Sequence, residues 1–248
     1  MTILGYGLIL GVFLAYLGML FVAHRFTYKT WVFDAVVGAG MALGAAGWVQ
    51  AGGDWLALGP IGLGALWFLV SRTELKIAGS PELRLRVGDA VPALSLLKTD
   101  GSPFTEQDLI AGAPALLTLY RGWWCPSSRA QLDLIRAHYE SFASRGVAIY
   151  AASVDEPAAA LPIQEHVGST ITILCGVSEA VLTKAGVLDQ KGAPWDDRLI
   201  LGAPERPIAM PATLVFNRKG ILTFVSRSAR VDDPPRVAEI LASLTQLS

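Results

Sequence analysis

Residues Ile3 to Ala23 form an apolar run without a charged side chain, about the twenty residues a helix needs to cross a bilayer. Nothing else in the chain limits its folds so sharply. Gly5, Gly7, Gly11 and Gly18 are tolerated there, because membrane helices admit more glycine than soluble ones. A cleaved signal peptide is the alternative, but it wants positive side chains ahead of the apolar stretch, and Met1-Thr2 offers none. Trp31 to Val49 is a second run, flanked by Tyr28, Trp31 and Trp48 as interfacial aromatics. Asp34 lies about one turn inside it, close enough to the interface to snorkel. Gly40-x-x-x-Gly44, on a face rich in glycine and alanine, would let another helix approach closely. Trp55 to Val70 is a third run, short and with Pro60 near its start. It spans with local thinning of the bilayer, or else forms a re-entrant or interfacial segment.

These runs explain a mean hydropathy of +0.46 in a chain with 52 % hydrophobic residues. The excess lies in the first seventy or so residues, so the chain divides. The expected organisation is a transmembrane segment over 1–72 with spans near 3–23, 31–50 and 55–71, a linker over 73–84, and a second domain over 85–248. Arg25 and Lys29 lie between the first two runs, only Asp54 between the second and third, and Arg72, Lys76, Arg84 and Arg86 after the third. The positive-inside bias then places the N-terminus outside and the long C-terminal domain in the cytoplasm. If the third run does not span, the topology inverts.

Within the second domain one stretch carries chemistry. Tyr120-Arg121-Gly122-Trp123-Trp124-Cys125-Pro126-Ser127-Ser128 follows the apolar run Ala115–Leu119 and precedes helical periodicity from Arg129 to Phe142. A cysteine therefore sits where a strand turns into the first turn of a helix. Free N–H groups and the positive end of the helix dipole point there, which favours the nucleophilic thiolate. Pro126 suits the first helical position, where a missing N–H costs nothing. Arg121 and Arg129 can add positive charge. Trp123 and Trp124 would line an apolar rim, with core packing the plainer reading for one of them.

The remaining pattern is that of an α/β domain. Val87–Leu96 and Thr99–Phe104 suggest a strand pair around the Asp100-Gly101 turn, and Thr105–Leu109 a short helical turn. Val147–Val154 and Ile171–Leu174 read as buried strands, with helices from Pro157 to about His166 and from Glu179 to Ala185. Ala193–Pro207, rich in proline and charge, reads as a loop. Ala212–Phe216 and Ile221–Val225 form a hairpin, and Asp233–Leu247 a closing helix. The order describes a mixed sheet covered on both faces.

A formal net charge of −1 and a pI near 6.3 argue against nucleic-acid binding. The two cysteines, Cys125 and Cys175, and three histidines show no metal-ligand spacing, so no metal or other cofactor is expected. Two cysteines make no disulfide framework.

Val87-Gly88-Asp89-Ala90-Val91-Pro92 with the Asp100-Gly101 turn, and Tyr120-Arg121-Gly122-Trp123-Trp124-Cys125-Pro126 followed by Arg129-Ala130-Gln131-Leu132, resemble the alkyl hydroperoxide reductase / thiol-specific antioxidant (peroxiredoxin-like) family. Met210-Pro211-Ala212-Thr213 is similar to the cis-proline loop of thioredoxin folds. The resemblance covers roughly residues 85–245. It implies a thioredoxin-like (peroxiredoxin-type) α/β fold, here following about three transmembrane helices that lie outside the resemblance, a catalytic Cys125, and Pro211 as a cis-proline beside it. Arg121, Trp124, Pro126 and Ser128 would support the thiol. Many relatives carry a second cysteine where this chain has Ser128, and typical members carry Thr or Ser where it has Gly122 and a peroxide-orienting arginine near the place of Pro211.

The resemblance thus implies an antioxidant thiol oxidoreductase, of the 1-Cys type given Ser128, and the apolar runs, which lie outside the resemblance, make it membrane-anchored. Its partners would be the lipid bilayer, a hydroperoxide or disulfide substrate and an external thiol reductant. A thiol–disulfide exchange protein working by mixed disulfide, and a non-enzymatic thioredoxin-fold interaction module at the membrane, are the alternatives. Cys175, at a strand end, reads as a small buried hydrophobe; the sharper alternative is a resolving thiol, which needs its Cα within about 7 Å of that of Cys125.

Overall fold

A computed structural model describes residues 1–25, 27, 29–73, 82–228, 230 and 233–244, without the side chains of 73 and 196. Tyr28, Lys76, Leu247 and positions 74–81 of the expected linker lie outside the described residues. The chain forms two compact units, Met1–Lys76 and Ile77–Ser248.

The first unit is helical. Helix α1 (Thr2–Leu17) runs into a π-helical turn, Gly18–Val22, followed by α2 (Thr30–Gln50), a 3-10 turn (Trp55–Leu58) and α3 (Gly59–Thr73). Three stretches, Thr2–Val22, Thr30–Gln50 and Trp55–Arg72, are long and apolar enough to cross a membrane. Large apolar side chains point outward: Ile3 is 85 % exposed, Leu14 70 % and Val22 83 %. The buried positions of α2 are Val37, Gly40, Gly44 and Gly47. A β-carbon on Gly40 would lie 3.0 Å from the Gly5 carbonyl, and one on Gly44 2.9 Å from Pro60. The glycine face thus receives α1 along Gly40 and Gly47, where Ile9, Gly5 and Thr2 approach, and the start of α3 at Gly44. Asp34 does not simply snorkel. It accepts a hydrogen bond from Trp67 Nε1 at 2.9 Å and pairs with Arg72 at 3.1 Å, because α3 brings both donors to it.

The second unit is built on a seven-stranded sheet. Its strands are β1 (Ser95–Lys98), β2 (Pro103–Thr105), β3 (Ala115–Leu119), β4 (Ala148–Ala152), β5 (Thr172–Cys175), β8 (Ala212–Phe216) and β9 (Leu222–Arg227), in the order β2-β1-β5-β4-β3-β8-β9. Strands β3, β4 and β5 run parallel; β1 and β8 pair antiparallel to them. The central strands are buried on both faces, which is why they read as continuous apolar runs. Leu117, Leu119, Leu174, Leu214 and Phe216 face one core; Leu116, Ile149, Ile173 and Val215 face the other. Helices α4 (Glu106–Leu109), α5 (Pro126–Ala137), α6 (Tyr139–Ala143), α7 (Pro157–Val167), α8 (Glu179–Ala185) and α10 (Val237–Leu244) complete the frame with a two-stranded pair, β6 (Leu188–Asp189) and β7 (Ile208–Ala209), and α9 (Trp195–Leu201) between them. This is a thioredoxin-like α/β fold.

Three local expectations fail. The strand expected from Val87 begins only at Ser95. Gly88 and Pro92 interrupt it, and residues 88–91 instead bond to the turn at Gly220–Leu222. The helix expected to reach Phe142 breaks at His138 (φ −109°, ψ 15°) and resumes as α6. The 193–207 loop contains α9, which starts after Pro194. Trp195, Leu199 and Ile200 are 75–77 % exposed, so α9 presents little of the buried periodicity by which a helix is recognised.

Candidate active site

Strand β3 ends at Leu119, and the six residues Tyr120 to Cys125 bring the chain to Pro126, the start of α5. Cys125 is the N-cap residue of α5 with extended backbone (φ −82°, ψ 116°), Pro126 opens the helix, and the thiol makes no capping hydrogen bond. The sulfur therefore stands at the positive end of the helix dipole without being consumed as a cap. Cys125 is buried, 4 % exposed. Its N–H donates to the Gly122 carbonyl at 3.2 Å, and its own carbonyl accepts from Arg129 N–H at 3.2 Å.

The surrounding loop is held at several points. Arg129 Nε donates to the Trp123 carbonyl at 3.1 Å, and Trp123 N–H donates to Asp155 Oδ2 at 2.8 Å. Ser128 turns its hydroxyl inward, where it accepts the Arg121 N–H at 3.1 Å. Arg121 is buried. Its guanidinium lies 5.6 Å over the Trp124 ring and 3.8 Å from Asp189 on β6. On the far side of α5, Gln131 Nε2 donates to Thr213 Oγ1 at 3.4 Å, tying the helix to β8.

Gly122 is required where it stands. Its φ is +154°, and a β-carbon there would come within 2.6 Å of Trp124 Nε1 and 3.2 Å of Asp155 Oδ1. A threonine or serine at this position is sterically excluded in this conformation.

Two carboxylates complete the surroundings. Asp155 is 1 % exposed; burial raises its pKa, against the Trp123 N–H and Ser153 hydrogen bonds and the nearby Arg206, which lower it. Asp189 is likewise raised by burial, with Arg121 opposing. Asp155, Asp189, Arg206, Gln131 and Thr213 were not among the site residues expected from sequence. The pairing of Asp155 with Trp123 joins residues 32 apart in the chain, and only the parallel β3–β4 crossover makes them neighbours. A carboxylate at the C-terminal end of a buried strand, as in Ser153-Val154-Asp155, was the available signal.

Pro211 is buried at the mouth of β8, but the expected cis bond is absent: among the described residues every peptide bond is trans. Met210 N–H donates to Val187 O at 2.8 Å, and Pro211 O accepts from Ser228 N–H at 3.0 Å. No tight turn opposes the ordinary trans preference. Cys175 and Cys125 are both free and buried, and they belong to the cores on opposite faces of the sheet. Burial pushes the Cys175 thiol up to about 11, with Asp155 adding to the rise.

A model of the AhpC/TSA family matches residues 87–225. The chain belongs to the AhpC/TSA family. No curated protein matches it, whereas solved structures do. The peroxidoxin BcpB of Mycobacterium tuberculosis aligns with TM-score 0.54 and 19 % identity, over 66 % of this chain and 99 % of that one. Reduced Prx3 of Vibrio vulnificus gives 0.55 and 18 %, over 65 % and 99 %. A mutant of peroxiredoxin 6 from Arenicola marina gives 0.54 and 19 %, over 66 % and 73 %. At such identities the likeness concerns the fold of the AhpC/TSA domain, which is peroxiredoxin-like.

Proposed function

We propose that this protein is a membrane-anchored, peroxiredoxin-like thiol peroxidase of the 1-Cys type. The observation that carries the reading is Cys125 at the N-cap of α5, uncapped and ahead of Pro126, inside an AhpC/TSA domain. The Cys125 thiolate attacks the terminal oxygen of a hydroperoxide, the O–O bond breaks, and the enzyme is left as sulfenic acid. The alkoxide or hydroxide that departs takes a proton from water.

The cycle then needs a thiol from outside. Ser128 stands three residues after Cys125 and has no sulfur to resolve the sulfenic acid. Cys175 faces the other core, and its raised pKa keeps it a poor nucleophile at neutral pH. With the Cys125 residue only 4 % exposed, a small peroxide is favoured over a folded protein disulfide as first reactant. Arg121, with its guanidinium over the Trp124 ring, belongs to the loop that presents the thiol.

The anchor reading rests on the three apolar helices and on their inverted packing. Aliphatic side chains turned outward are costly in water and at ease in hydrocarbon. The positive-inside bias puts the redoxin domain, about residues 85–248, on the cytoplasmic side. Membrane lipid hydroperoxides then lie within reach.

Full-length protein in detergent micelles, treated with hydrogen peroxide and a sulfenic-acid trap, tests the chemistry by mass spectrometry. The expected result is stoichiometric trapping at Cys125, lost in Cys125→Ser. Trapping no faster than that of a free cysteine peptide removes the peroxidase reading.

A further inference from the structure

Among its described residues the AhpC/TSA unit leaves six large apolar side chains exposed: Val87, Leu97, Leu161, Trp195, Leu199 and Ile200. The first three lie far apart in the chain. The last three share the seven-residue helix α9 and are the most exposed of the set. Positions i, i+4 and i+5 fall on one side of a helix, so these three form a single patch. An apolar patch on a domain that otherwise faces water marks an interaction surface. The opposite side of α9 is fixed. Arg198 Nε donates to Ala193 O at 2.9 Å, its guanidinium pairs with Glu205 at 2.6 Å, and Leu201 packs against the core that contains Cys125.

A second copy of the chain fits this patch poorly, because three side chains fall far short of the roughly 20–30 residues a side that a stable dimer interface uses. A bilayer fits it well. Only eight residues, 74–81, separate the end of α3 from Glu82, and a chain of that length covers at most about 30 Å. A tether this short keeps the domain at a local concentration on the order of mM at the membrane, so a small contact suffices. Tryptophan beside aliphatic side chains is also the composition of a membrane interface. The helix carries Asp196, Asp197 and Arg198, with no excess of positive charge, so the contact is apolar and does not call for anionic lipid.

We propose that α9 docks the AhpC/TSA unit on the bilayer that holds the chain's own apolar helices, with Trp195, Leu199 and Ile200 entering the interfacial layer of a neutral phospholipid surface. This rests on the membrane-anchor reading given above and is independent of the peroxide chemistry. The connection between β6 and β7 that carries α9 touches the loop before Cys125 at both ends. Asp189 faces Arg121 at 3.8 Å, and Arg206 reaches Asp155 at 3.8 Å, whose carboxylate holds Trp123 N–H at 2.8 Å. Docking through α9 therefore holds the segment next to the reactive loop at the lipid surface.

The test uses the full chain in phosphatidylcholine vesicles, with one photo-crosslinking residue per variant. The variants are Leu199→benzoylphenylalanine on α9, Leu161→benzoylphenylalanine on α7, where Leu161 is 44 % exposed, and Leu14→benzoylphenylalanine on the outward face of α1. After illumination, mass spectrometry reads what each has captured. Position 199 should yield lipid adducts about tenfold or more above position 161, and adding Trp195→Ser and Ile200→Ser to the 199 variant should lower its yield about tenfold or more. Equal lipid yields at 199 and 161 overturn the proposal. So do adducts at 199 to a second copy of the chain in place of lipid. Position 14 separates the two readings. Lipid adducts at 14 with none at 199 remove the docking and leave the anchor; none at either position removes the anchor, and the docking with it.

Discussion

The two units of this chain pack by opposite rules. In the first, Gly40, Gly44 and Gly47 are buried while Leu14 and Val22 face out. In the second, Leu116, Leu174 and Phe216 are at most 1 % exposed, and glycine marks turns, as at Gly101 and Gly220. One chemistry underlies both. Water drives aliphatic side chains together, whereas hydrocarbon gives them nothing to escape. Helices in lipid then gain by close backbone approach, which glycine permits. The same residue types therefore carry different information in the two halves. The charged pair Asp34–Arg72 and the buried Arg121–Asp189 differ in the same way: the first closes a helix pair near its end, the second backs a reactive loop.

The largest effect that separates the two packings comes from truncating one large side chain in each. Phe216→Ala should destabilise the AhpC/TSA unit by about 3–5 kcal/mol, seen as a lower unfolding temperature of the full chain. Leu14→Ala, on an outward face of α1, should cost less than about 1 kcal/mol in micelles. Comparable losses at both sites would break the comparison.

A smaller effect sharpens it from the glycine side. Gly40→Leu drives a side chain into the Gly5 carbonyl and Ile9, an overpacking worth about 1–3 kcal/mol. It should loosen the helical unit, detected as faster proteolysis between α1 and α2, and leave the alkylation rate of Cys125 unchanged. An unchanged digestion pattern would mean that the helices do not depend on this approach.

The smallest effect concerns the two thiols. Burial raises Cys175 from 9.0 to about 11, so its neutral form is favoured in the folded state. The associated stability is fully present below about 9 and is lost as pH rises through 11. Folded protein at pH 8 should therefore be alkylated at Cys125 alone, with Cys175 reacting only after denaturant is added. Labelling of Cys175 in the folded protein would contradict its placement in the far core.

Much of the fold was legible because its signals are local. The central strands are apolar runs, the α5 entry carries Cys125-Pro126, and the β8–β9 hairpin has its turn at Asn217–Gly220. What was illegible depends on contacts made across the chain. Nothing near Trp124 announces that its indole will pack against Gly122, which depends on the φ of +154° there. Asp155 lies just ahead of the helix that starts at Pro157, and its carboxylate turns back to Trp123. The trans Met210–Pro211 bond was missed for a related reason. The motif resembled the cis-proline loop of thioredoxin folds, whereas here Met210 N–H bonds Val187 O and Pro211 O accepts from Ser228 N–H.

The central claim is that Cys125 is a peroxide-reactive thiolate made by the end of β3 and the start of α5. Stopped-flow mixing of the full-length protein with hydrogen peroxide, followed by sulfenic-acid trapping, measures it directly. The account predicts a second-order rate far above that of a cysteine peptide and its complete loss in Cys125→Ser. A rate equal to that of the peptide would contradict it.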